Sequence, residues 1–77
     1  MMTRALLPNA GNLTLLRLPE VCRRTGLSRS EIYRRIGSSG AFPAPIKLGE
    51  RASAWPEHEV SAWIAARVAE RDAKAAA

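Results

Sequence analysis

LRLPEVCRRTGLSRSEIYRRIGSSGAFPAPIKLGERASAW, residues 16–55, decides the fold. Gly26-Leu27-Ser28 divides its first half into two short helical patterns. Pro19 suits a first helical turn, because the N–H it lacks would be unpaired there. A helix from Pro19 to about Thr25 turns Val21 and Cys22 inward and Arg23 and Arg24 outward. Gly26 then supplies the positive φ at which helices commonly stop, and Leu27 plugs the elbow. Ser28-Arg29-Ser30-Glu31 is a capping box, in which the serine hydroxyl accepts from the third helical N–H and Glu31 reaches back. The second helix runs to about Ile36, where Gly37-Ser38-Ser39-Gly40 stops it. At ~100° per residue, Ile32 and Ile36 share the core face, Ser30 and Arg34 lie opposite, and Tyr33 sits on the flank. Two helices joined at such an elbow form a helix-turn-helix, a shape that fits the DNA major groove.

Phe42-Pro43-Ala44-Pro45 is an extended connector, since residues before proline avoid the helical region. Ile46-Lys47-Leu48 alternates as a half-buried strand does. Gly49-Glu50 suits a two-residue turn, and Arg51–Trp55 returns as the second strand. Pro56 opens a last helix, on which Val60, Trp63, Ile64, Arg67 and Val68 recur at helical spacing. Residues 1–12, interrupted by Pro8, Asn9, Gly11 and Asn12, read as a mobile leader, and 72–77 as a frayed tail. The expected domain, residues 13–71, is mainly α with a small β-hairpin: a winged helix-turn-helix of three helices and a two-stranded wing.

The chain has 77 residues and a net charge of +5. That length holds one domain. Between Arg17 and Arg51 stand eight basic and three acidic residues, while the remainder carries four of each. The whole excess therefore sits on the helix-turn-helix and hairpin, which points to nucleic acid. With one cysteine, Cys22, and one histidine, His58, the sequence offers neither a disulfide nor a Cys/His metal cluster. No cofactor is expected. No catalytic constellation is present, so no enzyme is expected either. No apolar run approaches the ~20 residues that cross a bilayer, and the N-terminus is no signal peptide. The expected location is cytoplasmic, at the nucleoid. Trp55 and Trp63, set among alanine and aliphatic residues, read as core.

An exposed helix face of Arg29, Ser30, Tyr33 and Arg34 can donate to phosphates and base edges of double-stranded DNA. Arg29 and Arg34 suit guanine O6 and N7, while Tyr33, Lys47 and Arg51 suit phosphates. One module this small buries little DNA surface, which favours a dimer or tandem binding. The alternative is a protein-interaction module docking its basic face on an acidic partner. Such a face should offer apolar anchors, whereas this one offers arginine, serine and tyrosine.

The segments LLRLPEVCRRTGLSRSEIYRRI, FPAPIKLGERASAW and HEVSAWIAARVAER, in order over residues 15–71, resemble the AlpA-type phage regulators. These are small winged helix-turn-helix proteins related to MerR-like and excisionase-like DNA binders. The resemblance implies a second helix in the major groove and a hairpin touching the flanking backbone. It places Arg29, Ser30, Tyr33, Arg34 and Arg35 at recognition-helix positions and Lys47 and Arg51 on the wing; Ser28 at the helix start completes the expected DNA-contact set. Arg35 falls where many helix-turn-helix motifs keep an apolar residue, with Ile36 taking the packing role. The resemblance further implies a transcriptional regulator, or an excisionase acting in DNA recombination, with RNA polymerase or a recombinase as protein partner.

Overall fold

In the computed structural model, which describes residues 13–38 and 40–76, the elbow forms from bonds between near neighbours. Helix α1, Leu18–Thr25, ends at Gly26, whose φ of 78° is left-handed and whose N–H closes on the Cys22 carbonyl at 2.8 Å. Thr25 Oγ1 donates to the Val21 carbonyl at 2.8 Å and accepts from the Leu27 N–H at 3.2 Å. Helix α2, Arg29–Gly37, starts with both halves of the capping box in place. The Ser28 hydroxyl accepts from the Glu31 N–H at 3.2 Å, and Glu31 Oε1 accepts from the Ser28 N–H at 3.0 Å. The Ser28 backbone N–H, then its side chain, favour the ionised carboxylate and hold Glu31 below its ordinary value of 4.5. The box is thus complete above that value and weakens as pH falls below it.

Val21, Ile32, Trp55 and Val60 are fully buried. They come from α1, α2, strand β3 (Ala52–Pro56) and helix α3 (Glu57–Ala76) respectively, so the core is the point where these four elements meet. Leu16 and Phe42 complete the buried cluster, with Leu18, Cys22, Leu27, Ile36, Trp63 and Ile64 packed around it. Each indole N–H has a carbonyl partner, Trp55 on Pro43 at 2.9 Å and Trp63 on Ala41 at 2.7 Å. The tryptophans therefore fix the extended connector as well as filling the core. Arg24 ties α1 to α3, its Nε on Glu20 at 3.2 Å and its Nη1 on Glu57 at 2.8 Å.

The sheet has three antiparallel strands in the order β1-β3-β2, with β1 at Leu15–Leu16 and β2 at Ile46–Gly49. Strand β1 was not expected from the sequence. It pairs Leu15 with Pro56 and Leu16 with Trp55, and the Glu57 N–H extends the pairing to the Thr14 carbonyl at 2.7 Å. Pro56 is accordingly the buried end of β3 rather than the first residue of the last helix.

The wing differs from its sequence reading in two respects. Ile46 pairs with Ala54, Lys47 with Ser53 and Gly49 with Ala52, leaving a bulge between Lys47 and Gly49. The turn is consequently Glu50-Arg51, not Gly49-Glu50. All four residues of β2 are exposed, so it is not a half-buried strand; only β3 lies against the body, and β2 hangs from its outer edge. Lys47 and the bulge blunt that edge against further pairing.

Helix α3 packs through Val60, Trp63 and Ile64 and then leaves the body, with Val68 44% exposed. It continues to Ala76, past the frayed tail expected from residue 72. Alanine favours helix intrinsically, and Arg67 pairs with Glu70 at 2.6 Å and Arg71 with Asp72 at 2.8 Å. The expected leader, residues 1–12, lies outside the described residues.

Candidate nucleic-acid interface

Apart from Lys74 at the end of α3 and Arg35 beside Trp63, the described cations fall into two groups. Arg23 and Arg24 are held by Glu20, with Arg24 also on Glu57. Hydrogen bonds from Arg23 and then Arg24 keep the Glu20 carboxyl below its ordinary value. Bonds to Glu20 and then Glu57 raise Arg24. Arg67 and Arg71 pair along α3. By contrast the side chains of Arg17, Arg29, Arg34, Lys47 and Arg51 are exposed and make no ion pair or hydrogen bond among the described residues. These unpaired cations stand on α2, on the wing and on the link before α1.

A concavity of about 420 Å³ lies between them, lined by Arg17, Leu18, Pro19, Arg29, Tyr33, Arg51, Ser53 and Trp55. Chain periodicity explains who lines it. Arg29 and Tyr33 are one helical turn apart, so they share the stripe of α2 that faces the wing. Ser53 and Trp55 alternate onto one face of β3, and Arg51 enters from the turn. Lys47, opposite Ser53 in register, stands on that same face of the hairpin. The Tyr33 ring meets Trp55 edge-on, with centroids 6.2 Å apart and planes at 62°. Tyr33 nevertheless stays 42% exposed.

The remaining expected contact residues fall elsewhere. Ser30 and Arg34 form the next stripe of α2, exposed and outside the concavity. Ser28 is occupied as the cap of α2. Arg35 lies on the opposite flank, half-buried, with its guanidinium 6.0 Å from the centre of the Trp63 ring and its Nε buried without a partner among the described residues. Arg67 stacks on that same ring at 4.9 Å, and Phe42 meets it edge-on at 5.1 Å. Helix periodicity turns Arg35 away from the stripe of Arg29 and Tyr33, and Trp63 lies beside it there. Arg17, not expected among the contact residues, also lines the concavity. Its position directly before Leu18-Pro19, where α1 begins, was the available signal. Among the described residues no group of three His, Cys, Asp or Glu could hold a metal ion, and no helix is long and apolar enough to cross a membrane.

Helices α1 and α2 at a glycine elbow, a third helix beneath them and an antiparallel hairpin beside them define a winged helix-turn-helix protein. More narrowly, the chain belongs to the AlpA family: residues 14–68 match the family described as the prophage CP4-57 regulatory protein (AlpA). The match ends at Val68, about where α3 leaves the body. The chain is 46% identical over 65 residues to ORF88, an uncharacterised protein of Enterobacteria phage P4, covering 84% of this chain and 73% of that one. It is 31% identical over 64 residues to the DNA-binding transcriptional activator AlpA of Escherichia coli (strain K12), covering 77% of this chain and 91% of that one. No solved structure matches it.

Proposed function

We propose that this chain is a sequence-specific, double-stranded DNA-binding regulator of a phage or mobile element, with α2 in the major groove and the wing on the neighbouring backbone. The observation that carries the reading is the sorting of charge. Elsewhere on the described fold arginines are paired with carboxylates or stacked on Trp63, whereas the helix-turn-helix and wing present unpaired Arg17, Arg29, Arg34, Lys47 and Arg51. Unpaired cations aligned along a groove-sized surface are what a polyphosphate recruits. The name of the Escherichia coli relative supports the same reading.

Within this plan Arg34 and Ser30, on the outward stripe of α2, face the base edges, and Arg34 reads a guanine through O6 and N7. Lys47 and Arg51 hold phosphates and set register. A single module of this size buries only ~600–1,000 Å², so tandem or dimeric binding supplies the rest of the affinity. The arrangement serves a transcriptional activator and an excisionase equally.

The test is fluorescence anisotropy of a labelled duplex from the DNA flanking the gene, titrated over excess random competitor at two salt concentrations. Saturable binding that survives competitor is expected. Arg34→Ala should cost about 1–3 kcal/mol and relax preference at one base pair. Equal losses on specific and random DNA would remove the base-reading role, and no binding even at low salt would pass the basic face to a protein partner.

A further inference from the structure

Arg17, Arg29 and Arg51 come from separate parts of the chain, the link before α1, the first turn of α2 and the tip of the wing, yet they line one concavity. No carboxylate lines it with them. The nearest acidic residues along the chain are engaged or turned away. Glu20 is held by Arg23 and Arg24, Glu31 closes the cap, and Glu50 stands exposed at the turn without lining the concavity. Like charges gathered without a counter-charge repel one another, and the arrangement is relieved when an anion enters. Guanidinium is the group suited to such an anion, because its planar fork matches two phosphate oxygens at once.

The rest of the lining narrows the choice. Leu18 and Pro19 give an apolar wall, and Ser53 and Tyr33 bring hydroxyls. A mixed wall of this kind suits a sugar beside a phosphate better than a bare inorganic ion. Resting on the DNA-binding reading above, we infer that Arg17, Arg29 and Arg51 together seat a single backbone phosphate of the DNA, with its deoxyribose against Leu18 and Pro19, at the crossing from recognition helix to wing. Arg17 thereby becomes a DNA-contact residue, and Arg29 grips backbone and leaves base reading to Arg34. Because the seat is shared among three segments, its phosphate also fixes the wing relative to α2.

The salt dependence of binding to a labelled mixed-sequence duplex tests this, because each neutralised phosphate contributes about 0.9 to the slope of log K against log salt. None of the three side chains makes a bond within the described fold, so the variants should keep the wild-type circular dichroism. Arg17→Ala should weaken binding. Arg17→Lys, which keeps the charge but loses the fork, should fall between it and wild type. The triple variant R17A/R29A/R51A should lose about 0.9 from the slope in total, since one phosphate is released once. A loss of about 2.7, the sum for three separate phosphates, would overturn the shared seat, as would an Arg17→Ala variant that binds like wild type. Inorganic phosphate that binds only when Arg17 is present, yet leaves duplex affinity no weaker than chloride does at equal ionic strength, would reassign the concavity to a free anion. A wild-type chain that binds no duplex at low salt would remove the DNA reading itself, and the seat with it.

Discussion

At the elbow, Thr25, Leu27, Ser28 and Glu31 bond to partners between two and four positions away. The hairpin depends on distant ones: Trp55 donates to a carbonyl twelve positions back, and β3 pairs with Leu15–Leu16 near the start of the described chain. The elbow is also closed around Val21 and Ile32, both fully buried, whereas every residue of β2 is exposed. The elbow takes its shape from its own residues. The hairpin takes its shape from what it is attached to: β3 carries Trp55 into the core, while β2 stays outside it. Stability and contact can therefore vary separately on β2, but they are joined on α2, which carries both buried Ile32 and the exposed Arg29 and Arg34.

The sharpest way to break the comparison is to remove matched aliphatic groups from the two regions. Ile32→Ala empties a fully buried site and should cost about 2–5 kcal/mol in chemical denaturation, much of the stability of so small a domain. Next come the glycines. A Cβ at Gly26 meets no atom within 4 Å, so Gly26→Ala adds only the strain of its φ of +78°, about 1–2 kcal/mol. At Gly49, where φ is not positive and a Cβ meets Ala52 Cβ at an ordinary 4.0 Å, the same change should be neutral or stabilise by up to about 1 kcal/mol. Opposite signs in paired melting curves would sharpen the division, and equal losses would erase it. The smallest effect belongs to Leu48→Ala, 51% exposed in the bulge, which should stay within about 0.5 kcal/mol. A larger loss would mean that β2, like β3, supports the core.

The same division governs what could be read beforehand. The elbow, its cap and the inward Val21 and Ile32 were legible because their signals sit within one or two helical turns, and Trp55 read as core from its alanine neighbours. The wing was legible only as a hairpin. Its turn moved to Glu50-Arg51 because a bulge at Leu48 shifts the register, and a bulge leaves no mark in a short alternating strand. Strand β1 escaped because Leu15–Leu16 is two residues long and acquires its identity only by meeting Trp55 and Pro56. Arg35 was expected among the DNA contacts; it lies half-buried beside Trp63, a neighbour from another helix that the sequence of α2 does not reveal. Arg17 stood beside a helix start and read as part of a link; only the folded chain puts it opposite Arg51 across one concavity. Which basic side chains come to line one concavity is thus set by tertiary contacts.

The contrasting surroundings of the two tryptophans give the molecule two optical labels, one beside the concavity and one on the opposite flank. Trp55 is fully buried with its ring against Tyr33, so it emits from an apolar setting, and changes at the concavity reach it through that tyrosine. Trp63 is partly exposed with Arg67 stacked on its face, so water reddens its emission and the nearby cation perturbs it. The blue and red edges of the chain's own fluorescence therefore report separately on the wing and on the third helix, without any attached dye.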